Sequence, residues 1–138
     1  MSDSAANAIV FACNWDGLSS VEAAGQARLS YPASVRVVRI NCLSRLNHGM
    51  ILKAFELGAR GVLLIGCEPG RCRFDSDAAL VARELEKAKG ALRLLGMREE
   101  RLVMGRVPPG DGAGFVQQVT AFVAVLDKMQ SASSAWLR

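Results

Sequence analysis

Along the chain, continuous apolar runs alternate with stretches in which apolar residues recur every three or four positions. The run "AIVFAC" (8–13) predicts a short buried strand. "SSVEAAGQARL" follows, and its Ser19-x-x-Glu22 pattern predicts a capping box at a helix start. "SVRVVRINC" (34–42) is rich in β-branched residues and predicts a second strand. Residues 47–58 place Ile51, Ala54 and Phe55 on one helical face, with Gly58 as the stop. "GVLLIGC" (61–67) is apolar throughout, as in a parallel strand covered on both faces.

Residues 75–96 predict an amphipathic helix burying Ala78, Val81, Ala82, Leu85, Ala88, Leu92 and Leu95, and ending at Gly96. "RLVMGRV" (101–107) predicts a fourth strand, and "PPGDGAG" a loop. Residues 115–129 predict a last helix with Phe115, Val119, Phe122, Val123 and Leu126 turned inward. Residues 131–138 read as a flexible tail.

Strands that alternate with helices of this length demand right-handed crossovers and a parallel sheet. The expected fold is α/β: a three-layer sandwich around a flavodoxin-like sheet of four parallel strands. With 138 residues and no linker-like stretch, the chain reads as one domain, 1–138.

Composition adds three constraints. Apolar residues make up 51% of the chain, enough for a core that needs no disulfide staples. The net charge of +4 comes from Lys and Arg interleaved with acids, as in "RELEKAKGALRLLGMREER", a pattern of solvated helix faces rather than of a nucleic-acid site. No stretch approaches the ~20 apolar residues of a membrane span, and the N-terminus lacks the basic start of a signal peptide. The expected location is the cytoplasm, without membrane attachment. Thiols stay reduced there, so the four cysteines point to metal or redox chemistry.

The predicted strands give those cysteines a common address. Cys13, Cys42 and Cys67 each end a strand, and Cys72 lies in the loop after the third. Parallel strands share one carboxyl edge, where open α/β sheets place their ligands. Four thiolates there suit zinc or an iron–sulfur cluster. Structural zinc sites favour two tight Cys pairs, whereas only Cys67-x₄-Cys72 is close, a spacing that also occurs in plant-type [2Fe–2S] proteins. Arg45, Arg71 and Arg73 stand beside Cys42 and Cys72 and would favour a reduced, more negative centre. Trp15 is a candidate shield against solvent. His48, the one histidine, sits at a predicted helix start. With no Ser-His-Asp set and no Gly-x-Gly-x-x-Gly loop, independent catalysis is not expected. A thiol–disulfide enzyme would want Cys-x-x-Cys, which is absent.

The stretches "VFACNW" (10–15), "LSYPASVRVVRINC" (29–42), "RLNHGMILKAFELGARGVLLIGCEPGRC" (45–72) and "LRLLGMREERL" (92–102) resemble the delta, or iron–sulfur, subunit family of methyl-viologen-reducing hydrogenase. The resemblance covers nearly the whole chain, and the block "GCEPGRCRF" carries most of its specificity. It implies a [2Fe–2S] cluster and electron relay between a hydrogenase or formate dehydrogenase and the flavin subunit of heterodisulfide reductase, with homo-oligomers left open. The family reads Cys-Asn-Trp-Cys where this chain reads "CNWD", so Asp16 replaces a cysteine. Cys13, Cys42, Cys67 and Cys72 then just suffice as ligands. Asp16 is a candidate oxygen ligand if the replaced cysteine was one. The alternative is a cluster-free or zinc-binding scaffold subunit. Glu68 and Arg71 replace the family's His and Asp and reverse local charge.

Overall fold

A computed structural model describes residues 8–67 and 78–137. Four strands, β1 (Ala8–Cys13), β2 (Val35–Ile40), β3 (Gly61–Cys67) and β4 (Leu102–Val107), alternate with four helices, α1 (Asp16–Gln26), α2 (His48–Glu56), α3 (Ala78–Leu94) and α4 (Gly112–Leu137). All pairings are parallel and the sheet order is β2-β1-β3-β4. The three-layer, flavodoxin-like α/β architecture read from the sequence is the one found.

This order has a consequence for the site. From β1 the chain moves outward to β2, then returns past β1 to β3 on the other side. The direction of winding therefore reverses between β1 and β3, and open α/β sheets place their ligands at the carboxyl ends of such a pair. Cys13 and Cys67 terminate those two strands.

Two cores flank the sheet. One joins Val10 and Leu63 to Ala24 of α1 and to Phe115, Val119, Phe122 and Leu126 of α4. The five inward residues expected for the last helix are all buried. Tyr31 meets Phe115 edge-on, with ring centroids 5.5 Å apart and planes at 88°, the favoured aromatic geometry. At Gly112 a Cβ would sit 2.6 Å from the Ala24 nitrogen, so the missing side chain lets α4 close on α1. The second core joins Phe11, Val62, Leu64 and Leu102 to Ile51 of α2 and to Val81, Ala88 and Leu92 of α3.

Several boundaries differ from the sequence reading. The first helix starts at Asp16 with Trp15 as its cap residue, so Ser19 lies inside the first turn, its N–H bonded to the Trp15 carbonyl, and the Ser19–Glu22 capping box does not form. The tight Asn14–Trp15 turn brings the helix in early. The second strand stops at Ile40, and Cys42 instead caps a 3₁₀ turn, Leu43–Arg45. Ala82 is exposed, and Leu95, 70% exposed, lies past the end of α3, off the expected buried face. The last helix begins at Gly112, where Asp111 accepts from the Gly114 N–H at 2.9 Å, and its backbone continues beyond 129 to Leu137. The stops at Gly58 and Gly96 are as expected, with φ of 108° and 81°, values that glycine adopts without a Cβ penalty.

At the opposite, amino edge, Arg60 is buried and pairs with Asp127 at 3.0 Å, while Arg101 donates to the Arg60 carbonyl at 3.2 Å. Burial and the neighbouring Arg60 push the Arg101 guanidinium below its ordinary value. The cations here anchor β3 and β4 to α4 and lie away from the carboxyl edge.

Candidate functional site

Cys13 is the last residue of β1 and is 3% exposed. The chain then turns tightly through Asn14 and Trp15 into α1. The backbone N–H of Gly17, in the first turn of that helix, donates to Cys13 Sγ at 3.1 Å. Gly17 can come this close because it lacks a side chain: a Cβ there would stand 2.8 Å from the Ile65 carbonyl oxygen and 3.2 Å from Cys13 Sγ. The start of α1 therefore rests on the ends of both β1 and β3. An N–H donated to sulfur is the kind of contact that supports the thiolate ligands of iron–sulfur centres.

Cys42 is 4% exposed and stands two positions beyond Ile40, the register partner of Cys13. The next residue, Leu43, lies against Gly66, where a Cβ would be 2.5 Å from Leu43 Cδ1. Gly66 immediately precedes Cys67 in β3. The segment after β2 thus crosses from the outer strand toward β3, past the end of β1. Cys42 enters that crossing, and Leu46 leaves it buried at 3% exposure.

Of the predicted ligand set, the structure brings Cys13 and Cys42 to one edge and puts Cys67 at the end of the adjoining strand. The Cys67 side chain, and Cys72, Glu68, Arg71 and Arg73 entirely, lie outside the described residues. Among the described residues, no three His, Cys, Asp or Glu side chains are grouped as a metal site. The donor chemistry of the described part fits an iron–sulfur group: two buried thiols on one edge, one of them already accepting a backbone N–H.

The neighbours sort differently. Asp16 is 9% exposed in the first turn of α1. With Asn14, Trp15, Ser19, Glu22 and Pro109 it lines a polar cleft of about 450 Å³ beside the edge. Trp15 is half-buried there, and Arg45 is exposed. His48 is engaged elsewhere: both its backbone N–H and its Nδ1 meet Glu84 Oε1 of α3, each at 2.8 Å. Those bonds, with Lys87 adding charge, lower the Glu84 carboxyl to about 2. Glu84 was not singled out by the sequence reading. It flanks the buried stripe of α3, three residues after Val81 and four before Ala88, and nothing local signals a partner 36 residues away. Gly17 also went unremarked, although a glycine four residues after a strand-ending cysteine is the one local signal of a close backbone approach.

The chain matches the family model described as methyl-viologen-reducing hydrogenase, delta subunit, over residues 8–130. It is 35% identical over 105 residues to the iron–sulfur subunit of the vhc F420-non-reducing hydrogenase of Methanococcus voltae, covering 76% of this chain and 73% of that protein. It is 32% identical to the iron–sulfur subunit of the F420-non-reducing hydrogenase of Archaeoglobus profundus, over 89% of this chain and 90% of the relative. It is also 28% identical to a segment of one subunit of the ferredoxin:CoB-CoM heterodisulfide reductase of Methanosarcina mazei. That match covers 88% of this chain but 15% of the larger protein. The chain therefore belongs to the methyl-viologen-reducing hydrogenase delta subunit family.

Proposed function

We propose that this chain is an electron-transfer subunit carrying a [2Fe–2S] cluster on Cys13, Cys42, Cys67 and Cys72. It relays electrons between a hydrogenase or formate dehydrogenase and a heterodisulfide-reductase-type flavin subunit. The observation that carries the reading is the burial of Cys13, at the end of β1, and Cys42, in the turn after β2, at one carboxyl edge where the winding reverses between β1 and β3. Among the described residues no helix is long and apolar enough to cross a membrane, which suits a relay between protein partners.

When bound, the cluster supplies one-electron redox chemistry without proton or group transfer. The chain's own residues prepare its place. Gly17 N–H and the first turn of α1 offset negative charge on Cys13 Sγ. Trp15, half-buried and lining the polar cleft, is the candidate shield against solvent. Asp16, in that same turn, is the candidate oxygen ligand. The relatives support the redox assignment: two are named as hydrogenase iron–sulfur subunits. They also support the partner class, because a segment like this chain forms part of a much longer heterodisulfide reductase protein.

Anaerobic purification with iron, sulfide and zinc analysis, and electron paramagnetic resonance after reduction, tests the reading. The expected result is about two irons and two sulfides per chain, abolished in Cys13→Ser and Cys42→Ser and retained in Asp16→Ala. Loss in Asp16→Ala makes that carboxylate a ligand. Iron-free protein, or one zinc per chain, overturns the cluster and leaves a scaffold subunit.

A further inference from the structure

We propose that Glu84 of α3 is a positioning residue: it clasps the start of α2 and thereby holds the Cys42-bearing segment across the carboxyl edge. The clasp deepens the cluster reading, since it concerns how one proposed ligand is presented, but it rests on contacts that need no cluster.

The segment from Cys42 to His48 joins β2 to α2 and contains no strand pairing of its own. It is fixed at discrete points. Arg45 N–H donates to the Cys42 carbonyl at 2.9 Å, closing the 3₁₀ turn. Leu43 lies against Gly66, and Leu46 is buried. At its far end Asn47 caps α2, its side chain accepting from Met50 N–H at 2.9 Å. Leu43 and Leu46 also share a buried cluster with Val81 and Ala88 of α3. Glu84 adds the polar bond between the segment's end and that helix.

One carboxylate oxygen, Oε1, accepts both from His48 N–H and from His48 Nδ1, each at 2.8 Å. The other, Oε2, faces Lys87 at 3.5 Å. The first N–H groups of a helix have no partner within it. A carboxylate supplied there by another helix satisfies one of them and sits at the positive end of the dipole. Glu84 is 24% exposed, so the bonds are partly shielded from water. α3 itself follows the chain segment that contains Cys72. The clasp therefore connects the chain leaving Cys42 with the helix that follows Cys72, two excursions that no strand pairing joins directly.

The geometry makes a graded prediction. Removing the imidazole leaves the backbone N–H bond intact, whereas removing the carboxylate loses both. An amide at position 84 keeps a carbonyl acceptor for the N–H. Cys42 is buried, so a thiol reagent reaches it only when the segment opens.

The test is alkylation of the cluster-free full chain at fixed neutral pH, with the rate at each cysteine resolved by peptide mass spectrometry. Cys42 is expected to label about tenfold faster in Glu84→Ala, by a smaller factor in His48→Ala, and near the native rate in Glu84→Gln. Cys13, held by Gly17 on the other side of the edge, should change less than about twofold. Equal acceleration at Cys13 and Cys42 means general loosening and overturns the clasp, as does an unchanged Cys42 rate. Should Glu84→Ala fail to fold, the His48→Ala and Glu84→Gln comparison decides between the same outcomes. Because the readout needs no iron, failure of the clasp and failure of the cluster assignment appear in different experiments.

Discussion

Gly17 points its backbone N–H at Cys13 Sγ from 3.1 Å while its α-carbon lies so near β3 that any side chain would strike the Ile65 carbonyl. Chemistry and packing meet in one residue: the bond to sulfur exists only because position 17 has no Cβ. Gly17→Ala is therefore expected to lower unfolding stability by about 1–3 kcal/mol through overpacking and to loosen Cys13. Gly25, in the same helix, has open space around its Cβ position. Gly25→Ala should leave Cys13 untouched and raise stability by up to about 1 kcal/mol. Urea unfolding of the two variants, with thiol labelling of Cys13, checks the contrast. Equal effects would show that helix propensity, and not contact with the sheet, governs both positions.

Gly66 and Leu43 form the matching contact for Cys42. An added Cβ at 66 would meet Leu43 Cδ1 at 2.5 Å, and Leu43 is buried. Gly66→Ala should cost about 1–3 kcal/mol and raise the labelling rate of Cys42. Leu43→Ala in the same chain makes room for the new methyl. The double variant should then be more stable than the sum of the two single changes predicts, by about 0.5 kcal/mol or more. Strict additivity in a denaturation cycle would show that Leu43 does not hold the crossing segment against β3.

Glu84 gives the fold a specific acid sensitivity. Its carboxyl is lowered from an ordinary 4.5 to about 2, first by the side-chain bond to His48 and then by the backbone one. A depressed carboxyl stabilises the folded state fully above its unfolded value and loses that contribution as pH falls toward the folded one. The stability advantage of the native chain over Glu84→Gln should thus be constant above pH 4.5, shrink between 4.5 and 2, and vanish below. Unfolding curves collected across that window measure it. A difference that persists unchanged through pH 2 would mean that the carboxylate charge contributes nothing.

The strand-helix alternation was readable because the two periods differ so clearly. "GVLLIGC" has no polar face at all, and Phe115, Val119, Phe122 and Leu126 repeat at helical spacing and are all buried. From parallel strands alone, the cysteines of β1 and β3 fall at one edge. What local reading misjudged were ends: Ser19 looked like a cap because its neighbours fit the pattern, yet the turn at Asn14–Trp15 starts the helix earlier. Leu95 kept the period of α3 after the helix had stopped. Most of the site's support was invisible for a plainer reason. Gly17 against Ile65, Leu43 against Gly66 and His48 against Glu84 are contacts between distant parts of the chain, and no spacing in the sequence marks them.

The β2-β1-β3-β4 order also bears on how the protein is made. β1 emerges first from synthesis but is an inner strand, and both its neighbours come later, β3 last. Until residue 67 has been added, "AIVFAC" has no closed sheet to enter, and Gly17 has no Ile65 carbonyl to rest on beside Cys13. Such non-local pairing is slow to nucleate. The nascent chain therefore passes through an interval in which its first thiol is open to oxidants and to adventitious metal, and burial ends that interval only when the third strand docks.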